Sequence, residues 1–318
     1  MKWAGLWSLV ALPFLIKGVV DIKKKSKTNP SLKPLLGLMG AVIFVISCMP
    51  IPVPTAGTCS HPAGTGISAV LVGPIMSIFI TSIALLIQAL FLAHGGLTTW
   101  GADITSMGIV GSFAAYFTFR ILHRAKAPLF LCGFMAGLLA DWATYLTTSF
   151  ELSSALHGSK PLFSLFRVIL VAFIPTQLPL GIVEGFLTAG MIVFVAKRRP
   201  DILSGLSIVG FGPSAREKIR NKKTKFTLFI FLILSLFILA GSRKLSAASW
   251  TGVDETVVEK VAEEHGRKAW TPFINTDQGD LLLFVFLLAG VFGGFVLGYF
   301  WRVLFVEKHD SFNNPPLA

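Results

Sequence analysis

The residues best suited to chemistry in this sequence are a histidine set among glycines and a few carboxylates inside apolar runs. Residues 57–66 read Gly57-Thr58-Cys59-Ser60-His61-Pro62-Ala63-Gly64-Thr65-Gly66. Backbone so rich in glycine bends tightly and can come close to a small ligand. A neutral imidazole is a good donor to borderline divalent ions such as Co²⁺, Ni²⁺ and Zn²⁺. Taken alone, a lone histidine is more often a hydrogen-bonded structural residue. A second stretch, His94-Gly95-Gly96-Leu97-Thr98-Thr99-Trp100-Gly101, again joins a histidine to glycines. His94 is there either a metal ligand or a partner that orients one; a capped turn is the competing reading. Asp141, in Ala140-Asp141-Trp142, and Glu184, in Ile182-Val183-Glu184-Gly185, lie inside hydrophobic runs. Intramembrane carboxylates are costly and become functional candidates by default, although either could instead accept hydrogen bonds from an irregular loop. Ser60 and Gln177 complete the candidate set.

These groups need a scaffold, and composition says which kind. Of 318 residues 53% are hydrophobic and only 14% are charged, against about 25% in ordinary soluble domains. The mean hydropathy is +0.73. A soluble fold of this length cannot bury so much apolar side chain. The pattern is that of an all-α polytopic membrane protein. The net charge of +12 then reads as basic cytoplasmic loops rather than as a nucleic-acid surface. Three cysteines (Cys48, Cys59 and Cys132) form no paired framework and no CxxC, which argues against disulfides or a thiolate zinc site. There is no GxxxxGK[ST], HExxH or GxSxG, so the chain carries none of those three signatures of ATP hydrolysis, zinc proteolysis or serine hydrolysis.

Eight apolar runs stand out, at about 3–20, 35–51, 67–93, 102–122, 128–148, 165–196, 226–240 and 281–304. Basic residues cluster after the first run (Lys23 to Lys33), after the fourth (Arg120 to Lys126) and after the sixth (Lys197 to Lys225). All three clusters belong in the cytoplasm. Simple alternation fails unless the third run is two segments. That run contains Gly73-Pro74, and proline breaks helical hydrogen bonding. Splitting it gives a short descending piece, Gly64–Gly73, and a returning helix, Ile75–Ala93. The expectation is therefore nine crossings, N-terminus outside and C-terminus inside, with the His61 and His94 loops both outward. Residues 1–196 form a seven-crossing unit, 197–225 a basic cytoplasmic linker, and 226–318 a two-helix hairpin with an outer loop, 241–279. Gly290, Gly294 and Gly298 make a GxxxGxxxG face, suited to docking the hairpin on the first unit or to a partner subunit.

The ordered stretches together resemble the CbiM-type substrate-binding (S) component of cobalt and nickel energy-coupling factor (ECF) transporters. The resemblance covers about residues 1–195 and includes Gly57–Gly66 with Gly73-Pro74, Gln88 to Gly101, Ser106-Met107-Gly108, Leu139–Tyr145, and Gln177 with Pro179, Glu184 and Gly185. Residues 226–306 are similar, more loosely, to the small partner subunit CbiN, with Trp270 and Phe273 around Pro272. The resemblance implies capture of a bare Co²⁺ or Ni²⁺ at the outer face of a prokaryotic plasma membrane. It also implies release inside through reorientation driven by a separate T component and two ATPase subunits. No cofactor is held permanently, and the bilayer and the divalent ion are the other partners. His61 maps onto the family's loop ligand. The family begins Met-His, and its amine and second residue are ligands too. This chain begins Met1-Lys2-Trp3, about ten residues short, which makes an upstream start the expectation. Two other readings remain at this point: a proton-coupled secondary metal transporter using Asp141 and Glu184, and a non-transporting scaffold.

Overall fold

The computed structural model describes residues 2–48, 51–53, 58–92, 95–159, 161–199, 202 and 281–307. Residues 226–240, the outer loop 241–279 and most of the linker 197–225 lie outside the described residues, as does His94. Among the described residues six helices are long and apolar enough to cross a membrane.

Helix α1 (Lys2–Thr28) ends in a lysine-rich turn and exposes Leu6, Leu9, Leu12, Ile16 and Val20. Such a face suits lipid rather than water. Its start is tied down by Trp3, whose indole N–H donates to Ser154 Oγ at 2.7 Å. Helix α2 (Leu32–Ser47) has 16 residues, short of the roughly 20 needed to span. The chain continues into two three-residue strands, β1 (Ile51–Val53) and β2 (Thr58–Ser60), paired antiparallel with Ile51 opposite Ser60. Apart from this short hairpin the described residues are helical, as expected of an all-α membrane protein.

Helix α3 (Thr65–Val72) has all eight of its residues buried. It stops at Gly73, whose φ of 87° belongs to the left-handed region, and Pro74 is the first residue of α4 (Pro74–Phe91). Proline lacks the N–H that an uninterrupted helix would need but suits a first helical turn. The expected break therefore falls between Gly73 and Pro74. One long span, Trp100–Arg124, follows as α5 (Trp100–Asp103), a π-helical stretch (Ile104–Gly111) and α6 (Ser112–Arg124).

Helices α7 (Leu129–Leu156) and α8 (Leu162–Arg198) pack along much of their length. Glycine makes this approach possible. A Cβ on Gly137 would lie 2.6 Å from the Glu184 carbonyl and 2.5 Å from Thr188 Oγ1; one on Gly133 would lie 2.8 Å from Ala189 Cα. Small residues let membrane helices approach closely where no hydrophobic drive joins them. Gly137→Ala is expected to push α7 and α8 apart and cost about 1–3 kcal/mol, read as a lower unfolding temperature of the solubilised chain.

Helix α9 (Leu281–Arg302) continues as a π-turn, Val303–Glu307. It docks on α2 and α8. Gly37 sits against the Phe300 ring, Gly293 against Val45 and Phe44, and Trp301 stacks on Phe194 with centroids 5.0 Å apart. Arg199 donates to the Leu304 carbonyl. The reading that the Gly290, Gly294 and Gly298 row docks on the first unit is corrected here: among the described residues nothing lies within 4 Å of where a side chain on any of them would point. Gly293, one residue away and so about 100° around the helix, makes the contact instead. The core around α3 is built from Met39, Ile43, Ile67, Leu71, Met76, Ile78 and Ile104.

Candidate metal site

His61 lies just after β2, and its backbone is fastened on both sides by one side chain. Its N–H donates to Tyr145 Oη at 2.8 Å, and Tyr145 Oη donates to the His61 carbonyl at 3.0 Å. The two rings meet edge-on, centroids 6.4 Å apart. His61 Nδ1 is 3.2 Å from the Pro62 carbonyl. Burial holds the imidazole below its ordinary value, opposed by that carbonyl contact. A lowered value keeps the ring neutral near pH 7, the form that binds a metal.

Two residues on, the chain is fastened again. Ala63 N–H donates to Glu184 Oε2 at 2.7 Å and Gly64 N–H to Oε1 at 2.9 Å. Glu184 is 1% exposed. Its carboxylate meets the chain where α3 begins, and a helix N-terminus favours negative charge. Gly64, at φ 70°, turns the chain into α3. The loop thus hangs between α7 and α8, on a tyrosine and a carboxylate whose positions the glycine seam sets.

The other carboxylate behaves differently. Asp141 is fully buried on α7, and neither of its oxygens has a hydrogen-bond partner among the described residues. The same holds for the Gln177 amide, 5% exposed, and for the buried Ser60 hydroxyl. Trp142 Nε1 donates to the Gln177 carbonyl at 3.1 Å, holding α7 to α8 at this level. Among the described residues no three His, Cys, Asp or Glu side chains cluster as metal ligands do. His61 is brought together with Tyr145. The turn after His94 is capped: Gly96 N–H donates to Thr99 Oγ1 at 3.0 Å, and Thr99 Oγ1 donates to Asp103 Oδ2 at 3.1 Å.

Tyr145 escaped the sequence reading as a separate candidate. Its only signal was a phenol one helical turn from Asp141 in an apolar run. Tyr145→Phe removes both hydrogen bonds that fasten the part-buried His61 backbone, a net loss of about 0.5–1.5 kcal/mol for each. Co²⁺ affinity is expected to fall about tenfold, the lower end of losses from orienting partners, with the helical circular-dichroism signal kept.

Comparison with known proteins gives concordant matches. Residues 1–202 match the family described as the cobalt uptake substrate-specific transmembrane region, CbiM. The cobalt transport protein CbiM of Geobacter sulfurreducens is 58% identical over 309 residues, covering 97% of this chain and 88% of that protein. The cobalt transport protein CbiM of Sorangium cellulosum is 52% identical over 215 residues, covering 68% of this chain and 96% of that protein. A crystal structure of a transition metal transporter is similar in fold, with a TM-score of 0.54 at 23% identity over 61% of this chain and 88% of that one.

Proposed function

The chain belongs to the CbiM family of cobalt uptake transmembrane proteins, and on that premise we propose that it captures Co²⁺, or Ni²⁺, at the outer face and passes it inward. It is a multi-pass protein of the prokaryotic plasma membrane and a transport component rather than an enzyme. His61 is the capturing ligand in this proposal. The observation that carries it is the loop's suspension: Tyr145 holds both backbone groups of His61, and Glu184 holds the next two N–H groups, those of Ala63 and Gly64. A loop fastened to two helices presents its imidazole in a fixed place and moves when those helices move.

The finer assignment follows from the family resemblance. Residues 1–196 are the capturing unit, 197–225 the cytoplasmic linker, and 226–318 a CbiN-like unit fused to it. Nine crossings leave the N-terminus outside and the C-terminus inside. An ECF T component and two ATPase subunits power release. The match to the Geobacter sulfurreducens protein over nearly the whole chain supports an integral C-terminal unit. The proton-coupled alternative needs Glu184 free to titrate along a path, and both its oxygens are engaged by loop N–H groups. Co²⁺ uptake into vesicles distinguishes the two. With T component and ATPases present, uptake is expected to need ATP and to survive a protonophore. Uptake by the chain alone that collapses with the proton gradient would reverse the assignment.

A further inference from the structure

Asp141 has no evident reason to be charged where it sits. It is buried on α7 without a hydrogen-bond partner among the described residues. Helix α7 carries no lysine or arginine, and α8 carries none between Arg167 and Lys197. The charge near enough to act on it is that of Glu184, another carboxylate. Such a group is expensive in an apolar interior unless a cation joins it.

Two further groups accompany it. Gly181 faces the carboxylate: a Cβ there would lie 3.1 Å from Asp141 Oδ2. Gln177 is one turn outward on the same face of α8, and both polar atoms of its buried amide are without partners among the described residues. The unpartnered, fully buried hydroxyl of Ser60 adjoins His61 on β2, which packs against α8. Tyr145, which holds His61, is one turn outward of Asp141 on α7. These oxygen donors sit on three elements, α7, α8 and β2, of which α7 and β2 both pack against α8.

We propose that Asp141, with Gln177 and Ser60, forms a second, all-oxygen station for the transported divalent ion, inward of His61. This rests on the reading that His61 captures the ion. Carboxylate, amide and hydroxyl oxygens hold Co²⁺ less firmly than imidazole. A weaker inner station fits passage, because an ion held too firmly does not leave. Glu184 remains the fastening of the loop, its oxygens taken by Ala63 and Gly64.

The test uses the full chain in lipid nanodiscs, CoCl₂ as the probe, and equilibrium dialysis with metal analysis. Two equivalents of Co²⁺ are expected, one tight and one at least tenfold weaker. His61→Ala removes the tight equivalent. Asp141→Asn removes the weak one, Asp141→Glu restores it, and metal-free unfolding is unchanged. The weak equivalent's d–d absorption is that of an oxygen-ligated ion and disappears in Asp141→Asn. A wild-type chain with one equivalent, or an Asp141→Asn chain with both, overturns the proposal. If Asp141→Asn does not fold, Gln177→Met decides: an unweakened second equivalent overturns it. A tight equivalent that survives His61→Ala refutes the capture reading itself, whatever Asp141 does.

Discussion

His61→Ala is expected to lower Co²⁺ affinity more than about 100-fold, beyond the 10- to 100-fold typical of losing a group that only orients a ligand. The argument is one of donor type. His61 is the sole imidazole on the loop between β2 and α3. For a borderline ion, an oxygen or a water in its place is a weaker substitute. The substitution keeps the fastening of the loop, because Tyr145 holds the His61 backbone. Helix content and unfolding temperature should therefore stay close to wild type. Wild-type Ni²⁺ binding should be at least as tight as Co²⁺ binding unless geometry intervenes, following the usual order for nitrogen sites. Isothermal titration of both ions against wild type and variant reads all of this. Unchanged Co²⁺ affinity in a folded His61→Ala chain would sink the ligand assignment.

Much of the scaffold was legible because its causes are local. Apolar run length marks a span, and the Gly73-Pro74 break follows from a missing N–H that can be read off the sequence. The β1–β2 hairpin was not legible. Each strand has three residues and the first contains Pro52, too little for an alternating pattern to show. The glycine row on α9 was legible as a small-residue face but not as the docking face. Spacing gives periodicity, whereas the side that meets α2 depends on Phe300, Trp301 and their partners on other helices.

The site divides in the same way. His61 was visible from its glycine setting. Asp141 and Glu184 were visible as equals, two acids in apolar runs, and only the fold separates them. Glu184 stands where Ala63 and Gly64 present their N–H groups, whereas Asp141 faces Gly181 with no donor among the described residues. Tyr145 could not be picked out, since its role lies in contacts 84 residues away along the chain.

Glu184→Ala should have the second large effect, by a route distinct from His61→Ala. It removes no ligand. It strips acceptors from two N–H groups, with Glu184 itself among the most deeply buried residues of α8. Each orphaned donor costs about 1–3 kcal/mol, so the fastened form of the loop should lose roughly 2–6 kcal/mol relative to a released one. Release lets His61 sample positions away from the site, and apparent affinity falls with the fraction of chains still fastened. A loss of about 10- to 100-fold in Co²⁺ affinity is expected, typical of a residue that orients a ligand. Glu184→Gln should fall between, because the amide keeps one acceptor oxygen but turns its NH₂ toward the second N–H. The distinguishing readout is hydrogen exchange without metal. The amides of Ala63 and Gly64 should exchange much faster in Glu184→Ala and be nearly untouched in His61→Ala. If those amides remain protected in Glu184→Ala, the loop is held by something else, and the carboxylate is not its fastening.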